Sequence, residues 1–192
     1  MLSIENVTKR YEGHTAVDDL SLTIEPGVVY GLLGPNGAGK TTTIRMIMGI
    51  IEPDEGKIEI FGEPFSESMK ERIGYLPEER GMYRKMKVID HIVFLAEIKG
   101  MTAKAAAGRA KQWLERVDLA GWEDKPVEAL SKGMQQKIQF ISTVIHEPQM
   151  VILDEPFTGL DPINTQLLKD VIIEMKDEGL SLIHISEPTR PY

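Results

Sequence analysis

Residues 34–42 read Gly34-Pro35-Asn36-Gly37-Ala38-Gly39-Lys40-Thr41-Thr42, and this stretch decides the fold. It matches the pattern G-x-x-x-x-G-K-[ST], which is typical of phosphate-binding loops. A short apolar run at residues 28–33 precedes the loop, and apolar residues at helical spacing follow it within residues 40–51. We therefore predict a buried parallel strand, a glycine loop and a helix, in that order. A glycine-rich turn that merely enters a helix is the alternative.

The residue types in the loop suit the binding of a nucleoside triphosphate. Gly34, Gly37 and Gly39 allow backbone conformations that bring N–H groups close to an anion. The helix N-terminus adds partial positive charge, and Lys40 adds a full charge for the β- and γ-phosphates. The Thr41 hydroxyl is a ligand for Mg²⁺. We predict that all nine residues of the loop contact ATP, and that Lys40 also contributes to catalysis.

Composition excludes several classes of protein. The chain has 192 residues, enough for one domain with a hydrophobic core, and a net charge of −8, which argues against nucleic acid as the main partner. It has no Cys, so a disulfide or a thiolate metal site is impossible. No apolar run approaches the roughly 18–20 residues that cross a bilayer. If the protein serves transport, another chain must form the channel.

Period-two alternation near the N-terminus predicts β-strands. Leu2 and Ile4, and later Leu20, Leu22 and Ile24, alternate with mainly polar residues, as in strands with one covered face. Tyr11 lies in the early connection, where an exposed aromatic ring can stack on adenine. Ordinary packing is the alternative role for this tyrosine.

The pattern changes to a helical period after Val88. We expect a helical insertion in an α/β core, with Thr102 as the N-cap of one helix. We place this helical subdomain at residues 85–146. Helices that simply flank the sheet are the alternative.

Two further stretches carry chemistry. Residues 130–136 read Leu-Ser-Lys-Gly-Met-Gln-Gln and begin a predicted helix, and residues 150–155 form an apolar strand that ends in Asp154 and Glu155. In a parallel sheet the end of this strand lies beside the phosphate loop. Asp154 is predicted to hold Mg²⁺, and Glu155 to orient and deprotonate the attacking water. Asp161 and Pro162 are expected to cap the following helix.

Together, these motifs resemble those of ABC-type ATPases. Residues 34–42, 130–135, 151–155 and 159–161 look like the Walker A, signature, Walker B and D-loop motifs, and the resemblance covers residues 1 to about 179. It implies an α/β phosphate-loop NTPase core with a mainly parallel sheet, an N-terminal antiparallel β subdomain and a helical insertion. The pairing of residues 75–80, Tyr-Leu-Pro-Glu-Glu-Arg, with this signature looks most like the drug- and sodium-exporter branch.

The resemblance also implies a mechanism and partners. Such domains work as head-to-tail pairs with two ATP molecules between them, and Ser131 and Gly133 would contact the nucleotide bound by the partner. ATP closes the pair, hydrolysis reopens it, and the motion passes to an integral membrane permease. The implied location is cytoplasmic, peripheral on the inner face of the cell membrane.

The chain departs from the family pattern at two positions. Glu78 stands where the family usually has Gln, which touches Mg²⁺ and the lytic water. We predict a catalytic and metal-binding role for Glu78, with a solvated loop charge as the alternative. Lys132 stands where the signature usually has its first Gly. Its side chain must point away from the nucleotide or add positive charge there.

The C-terminal stretch departs further. The family expects a strand after Gly179 that ends in a switch His, whereas residues 180–190 read as the translation of a transposase adapter used in sequencing libraries. We expect residues 180–192 to be a non-native tail that follows a C-terminally truncated ATP-binding domain at residues 1–179. The chain would then lack that strand and the switch His, because His184 comes about three positions too early. A real short strand and tail is the alternative.

These observations favour the ATP-hydrolysing subunit of an ABC exporter. One alternative is a truncated nucleotide-binding module with little or no ATPase activity. Another is an ABC-type ATPase of translation or DNA repair, although such proteins usually carry paired domains or long coiled-coil insertions, and this sequence shows neither.

Overall fold

The computed structural model describes residues 1–78 and 81–186, which form two sheets and a set of helices. The strands are β1 Leu2–Tyr11, β2 His14–Ile24, β3 Val29–Leu33, β4 Glu55–Ile60, β5 Glu63–Pro64, β6 Ile73–Leu76, β7 Met150–Asp154 and β8 Ser181–Ser186. The α-helices are α1 Lys40–Ile47, α2 Val88–Ile98, α3 Ala103–Arg116, α4 Lys132–Val144 and α5 Pro162–Asp177. No helix in the described ranges is both long and apolar enough to span a bilayer.

The first sheet is antiparallel, with the strand order β2-β1-β4-β5. Leu2 of β1 pairs with Ile24 on one side and with Ile60 on the other. Leu2, Ile4 and Val7 are buried, whereas Glu5 and Asn6 are exposed. Leu2 and Ile4 follow the predicted alternation, and a register shift between Ile4 and Val7 interrupts it before the two adjacent buried residues Val7 and Thr8.

The second sheet is parallel, with the strand order β3-β8-β7-β6. Every residue of β7 is buried, which suits a central strand with both faces covered. The carboxyl ends of β3, β6 and β7 meet at one edge of this sheet. That edge brings together the phosphate loop after β3, Glu78 after β6, and Asp154 with Glu155 at the end of β7.

Two predictions about this sheet were wrong. The strand before the phosphate loop is not buried, because within the described residues β3 lies at the sheet edge, and Val29 and Leu33 are 47% and 62% exposed. The chain also does not lack a strand after Gly179. Residues 181–186 form β8 between β3 and β7, and Leu182 and Ile185 are buried.

The composition of β8 explains why a strand forms there. Its apolar, partly β-branched run fits a central parallel position whatever the origin of the segment. The non-native origin of residues 180–192 stays a prediction. Residues 187–192 of that tail lie outside the described residues, as do Glu79 and Arg80 of the exporter-like stretch.

The helices between β6 and β7 share a core of their own, yet α4 also covers the sheet. Ile138, Ile141 and Ile145 pack with α2 and α3, whereas Phe140 and Val144 pack with β7 and α5. Gly74 in β6 makes this approach possible, because a Cβ atom there would lie 2.4 Å from the Thr143 carbonyl oxygen. The helical subdomain at residues 85–146 stays a prediction.

The helix ends follow local signals. Helix α1 ends at Ile47 rather than near residue 51, and Gly49 follows with φ 63°, the left-handed conformation common after helices. Thr102 caps α3, and its side chain accepts a hydrogen bond from the Ala105 N–H. Asp161 caps α5 in the same way with Pro162 at the first position, as predicted.

Candidate nucleotide-binding site

A cavity of about 530 Å³ opens at the carboxyl edge of the parallel sheet. It is lined by the phosphate loop and first turn of α1, by the hairpin that joins β1 to β2, and by residues that follow β6 and β7. The lining residues are Tyr11, His14, Ala16, Asn36, Gly37, Ala38, Gly39, Lys40, Thr41, Thr42, Glu78, Asp154, Glu155 and Thr158.

The phosphate loop presents donors to this cavity. Gly39 occupies the N-cap of α1 at φ 82°, so the first N–H groups of the helix, which have no intrahelical acceptor, face an open end. The Lys40 ammonium donates to the carbonyl oxygens of Gly34 and Pro35 at 2.6 and 3.0 Å. These bonds keep the ammonium group beside the loop, where a phosphate would compete for it. Gly34 and Pro35 therefore support Lys40 from outside the cavity wall.

Gly39 also touches the N-terminal sheet. A Cβ atom at this position would lie 2.3 Å from the Ala16 carbonyl oxygen and 3.1 Å from the Val17 Cγ2 atom. Only glycine satisfies both the positive φ and this close backbone approach. The contact fixes the loop against the hairpin that carries Tyr11.

The opposite wall is acidic. Asp154 is 5% exposed, and Glu155 is half-buried. The Thr158 hydroxyl donates to a Glu155 carboxylate oxygen at 3.4 Å. Burial raises the pKa of the neighbouring Tyr75 hydroxyl, and the charge of Asp154 adds to that effect. Several negative groups thus crowd one side of the cavity and favour a cationic ligand.

The oxygen atoms here fit part of a magnesium site. Thr41, Asp154 and Glu78 offer a hydroxyl and two carboxylates, the hard ligands that Mg²⁺ prefers, and all three line the cavity. Within residues 1–78 and 81–186, no group of three or more His, Cys, Asp or Glu side chains is arranged to hold a metal ion. Thr41, Asp154 and Glu78 would hold Mg²⁺ by part of its coordination shell, and phosphate oxygens of a bound nucleotide would supply other ligands.

The signature residues lie elsewhere. Ser131 caps α4 by accepting a hydrogen bond from the Met134 N–H at 3.2 Å. Gly133 lies beside Leu160: a Cβ atom at Gly133 would be 3.5 Å from the Leu160 Cδ2 atom. Neither belongs to the described lining of the cavity that holds Lys40. One copy of the chain thus brings the Walker residues together and leaves the signature apart.

The two departures from the family pattern share a second cavity. This space of about 310 Å³ is lined by Glu78, Lys132, Gln135, Gln136, Gln139, Thr158 and Gly159. Glu78 and Thr158 line both cavities, so the two cavities are neighbours. Lys132 therefore points into the space between the signature helix and the loop after β7.

Some residues that line the first cavity were not predicted from the sequence. His14, Ala16 and Thr158 also line the first cavity, and no motif in the sequence marks them as site residues. The signal for His14 is its pairing with Tyr11 across the hairpin. Tyr11 itself is 46% exposed on the cavity wall, where the prediction of adenine stacking requires it.

His184 does not line this cavity among the described residues. Its half-buried ring packs against the ring of Phe157, with the centroids 5.4 Å apart. Burial lowers the pKa of its imidazole.

Comparison with known proteins agrees with this arrangement. A family model described as "ABC transporter" matches residues 17–158. The chain is 52% identical over 186 residues to the uncharacterized ABC transporter ATP-binding protein YhaQ of Bacillus subtilis, covering 97% of this chain and 62% of the relative. It is 35% identical over 189 residues to the lipopolysaccharide export system ATP-binding protein LptB of Haemophilus influenzae, covering 95% of this chain and 78% of LptB.

A solved structure supports the same assignment. The ATP binding subunit of an ABC transporter superposes with a TM-score of 0.87 at 28% identity, over 97% of this chain and 79% of that subunit. The chain spans 62%, 66% and 58% of the lengths of three curated relatives that it matches. On the extent of the family match and the agreement in fold, the chain belongs to the ABC transporter family, as an ATP-binding domain of that family.

Proposed function

We propose that this chain is the ATP-binding and ATP-hydrolysing part of an ABC exporter and acts on a separate membrane permease. The observation that carries the proposal is that Lys40, Thr41, Asp154 and Glu155, which are far apart in sequence, line one cavity. This cavity combines an anion-binding loop with acidic groups. In ATP accompanied by Mg²⁺, the phosphates match the loop and the cation matches the acidic groups.

Each group has a role that follows from its chemistry. The loop N–H groups and Lys40 bind the phosphates, and Tyr11 stacks on the adenine ring. Thr41, Asp154 and Glu78 would hold Mg²⁺, which neutralises charge that develops on the phosphates during transfer. Glu155 orients the attacking water and accepts its proton, giving ADP and phosphate.

The proposed active unit is a head-to-tail pair. Ser131 and Gly133 lie at the start of α4, outside the cavity of their own copy, so a second copy must supply them. The N-terminus of α4 suits contact with a γ-phosphate, because its N–H groups and dipole favour an anion. Lys132 at the first position of that helix adds a cation for the same purpose.

The export direction and the membrane location rest on relatives. LptB, by its name, serves a lipopolysaccharide export system, and this chain is 35% identical to it. We infer that the chain binds a permease at the inner face of the cell membrane. Co-purification with a multi-span membrane protein tests this part, and recovery with ribosomes or DNA-repair proteins instead would contradict it.

Glu155→Gln tests the hydrolytic role. It should retain ATP binding and slow phosphate release by about 10²–10⁴-fold, the range for losing a general base. Sedimentation of the same variant with ATP should show a dimer that the wild-type chain forms only transiently. Near-normal turnover of Glu155→Gln would exclude Glu155 as the base.

A truncated binding module with little or no ATPase activity is the second proposal. It is favoured by the position of His184 in the middle of β8, packed on Phe157 and away from the described cavity lining. Phosphate release from the 192-residue chain, compared with a version whose C-terminus is completed from the gene, separates the two. Equal rates would contradict the binding-module proposal.

A further inference from the structure

The backbone of Glu155 has an unusual conformation. Its φ is 48°, in the left-handed region that residues other than glycine rarely occupy. Such a conformation persists only where the surrounding structure holds it. The loop after β7 must therefore contain contacts that fix Glu155 in this geometry, which directs its side chain to the cavity wall.

Two hydrogen bonds flank this residue. The Glu155 N–H donates to the Ile185 carbonyl oxygen of β8 at 3.0 Å. On the other side, the Gln136 side-chain amide donates to the Pro156 carbonyl oxygen. Proline has no N–H, so the carbonyl is the one backbone hydrogen-bonding group that Pro156 offers. The first bond holds the peptide unit before Glu155, and the second holds the peptide unit that follows Pro156.

Three adjacent polar side chains of α4 bond to carbonyl oxygens outside the helix: Gln135 donates to Val127 and Leu130, Lys137 donates to Val117, and Gln136 is the one of the three that bonds to the loop after β7. Gln136 is 1% exposed and reaches out of α4 to another element. Ser142 and Thr143, also buried in α4, donate to Ile138 and Gln139 within the helix itself. The hydrogen bond from the Gln136 amide therefore holds the loop after β7 in place. The hydrogen bonds from the Ser142 and Thr143 hydroxyls stay within α4.

We propose that Gln136 is a positioning residue for Glu155, and that it links the signature helix to the general base. Ser131 and Gln136 stand on one rigid helix, so a nucleotide that contacts the start of α4 also acts on the Pro156 carbonyl. Engagement of a partner copy then sets the orientation of Glu155 through one buried hydrogen bond. This inference rests on the proposed hydrolytic role of Glu155.

The test replaces Gln136 by Met, which keeps the length and volume of the side chain but removes the donor. We expect kcat for ATP hydrolysis to fall by about 10–100-fold, the cost of misplacing a reacting group by about 1 Å, while KM for ATP stays within about twofold. In Gln136→Glu, kcat should fall at least as far, because a carboxylate cannot donate to the Pro156 carbonyl oxygen and repels it. Ile141→Val, a buried change on the same helix in the helical core, controls for lost stability.

Hydrogen exchange provides a readout besides activity. In Gln136→Met, the amide of Glu155 should exchange at least about tenfold faster than in wild type, whereas amides of β7 should not change. Ile141→Val should leave the Glu155 amide as it is in wild type. Wild-type exchange at Glu155 together with wild-type kcat in Gln136→Met would overturn the inference.

The result also separates this inference from the proposed function. If Glu155→Gln is inactive and Gln136→Met turns over normally, only the positioning role is wrong. If Glu155→Gln is as active as wild type, the hydrolytic role itself fails, and the Gln136 inference fails with it.

Discussion

Gly39→Ala tests how the phosphate loop is held against the N-terminal sheet. The new Cβ atom would meet the Ala16 carbonyl oxygen at 2.3 Å, and a backbone atom cannot move aside as a flexible side chain would. The left-handed φ of 82° adds strain of about 1–2 kcal/mol. Overpacking adds about 1–3 kcal/mol. We expect the free energy of unfolding to fall by about 2–5 kcal/mol in total.

Gly37→Ala is the matched control. Gly37 has nearly the same φ, 81°, but a Cβ atom there would meet no atom within 4 Å. This variant should lose only the strain, about 1–2 kcal/mol. Urea unfolding of both variants, with the same m-value as wild type, measures the difference of about 1–3 kcal/mol that overpacking predicts. Equal unfolding free energies for the two variants would refute the assigned contact between Gly39 and Ala16.

Three further predictions concern other parts of the chain. Tyr11→Ala should raise the Kd for ATP by about 2–10-fold, with no change for inorganic triphosphate, and an equal loss for both ligands would argue against adenine stacking. Ser131→Ala should lower the free energy of unfolding by about 1 kcal/mol through the lost N-cap, and should also slow ATP turnover by more than this loss of stability explains. ATP turnover at the wild-type rate would contradict the proposed contact of Ser131 with the nucleotide of the partner copy. Burial, with the nearby Lys99 cation adding to it, lowers the pKa of His146 from 6.5 to about 4. The unfolded state therefore binds the proton at higher pH than the folded state, and the free energy of unfolding should fall as pH drops from about 6.5 to about 4. Urea titrations at several pH values should find a smaller fall in His146→Asn. The same pH dependence in His146→Asn as in wild type would disprove this role of His146.

The phosphate loop was predictable because its signal is local. The glycines, Lys40 and Thr41 lie within nine residues, and the strand and helix around them follow from apolar spacing. The N-caps Thr102, Ser131 and Asp161 likewise depend on atoms three residues away, so the sequence is sufficient to place them.

What the sequence missed depends on distant partners. The exposure of β3 follows from its position at the sheet edge, and the strand formed by residues 181–186 exists because β3 and β7 accept it between them. The bond from Gln136 to Pro156 joins residues 20 positions apart. No sequence pattern in either segment predicts the hydrogen bond between Gln136 and Pro156, because a glutamine in a helix is ordinarily a surface residue.

The origin of residues 180–192 is decided by DNA rather than by structure. Resequencing the locus across codons 175–195 should show a natural reading frame that diverges after Gly179. A genomic sequence that encodes residues 180–190 as they stand would end the adapter hypothesis.

Calorimetric titration of ATP with Mg²⁺ into wild type and Lys40→Ala tests the central claim most directly. The claim is that Lys40 and the loop N–H groups bind a triphosphate across from Asp154 and Glu155. Loss of one charge-assisted contact should weaken binding by about 10–150-fold, equivalent to about 1.5–3 kcal/mol. The same ATP affinity in Lys40→Ala as in wild type would contradict the claim.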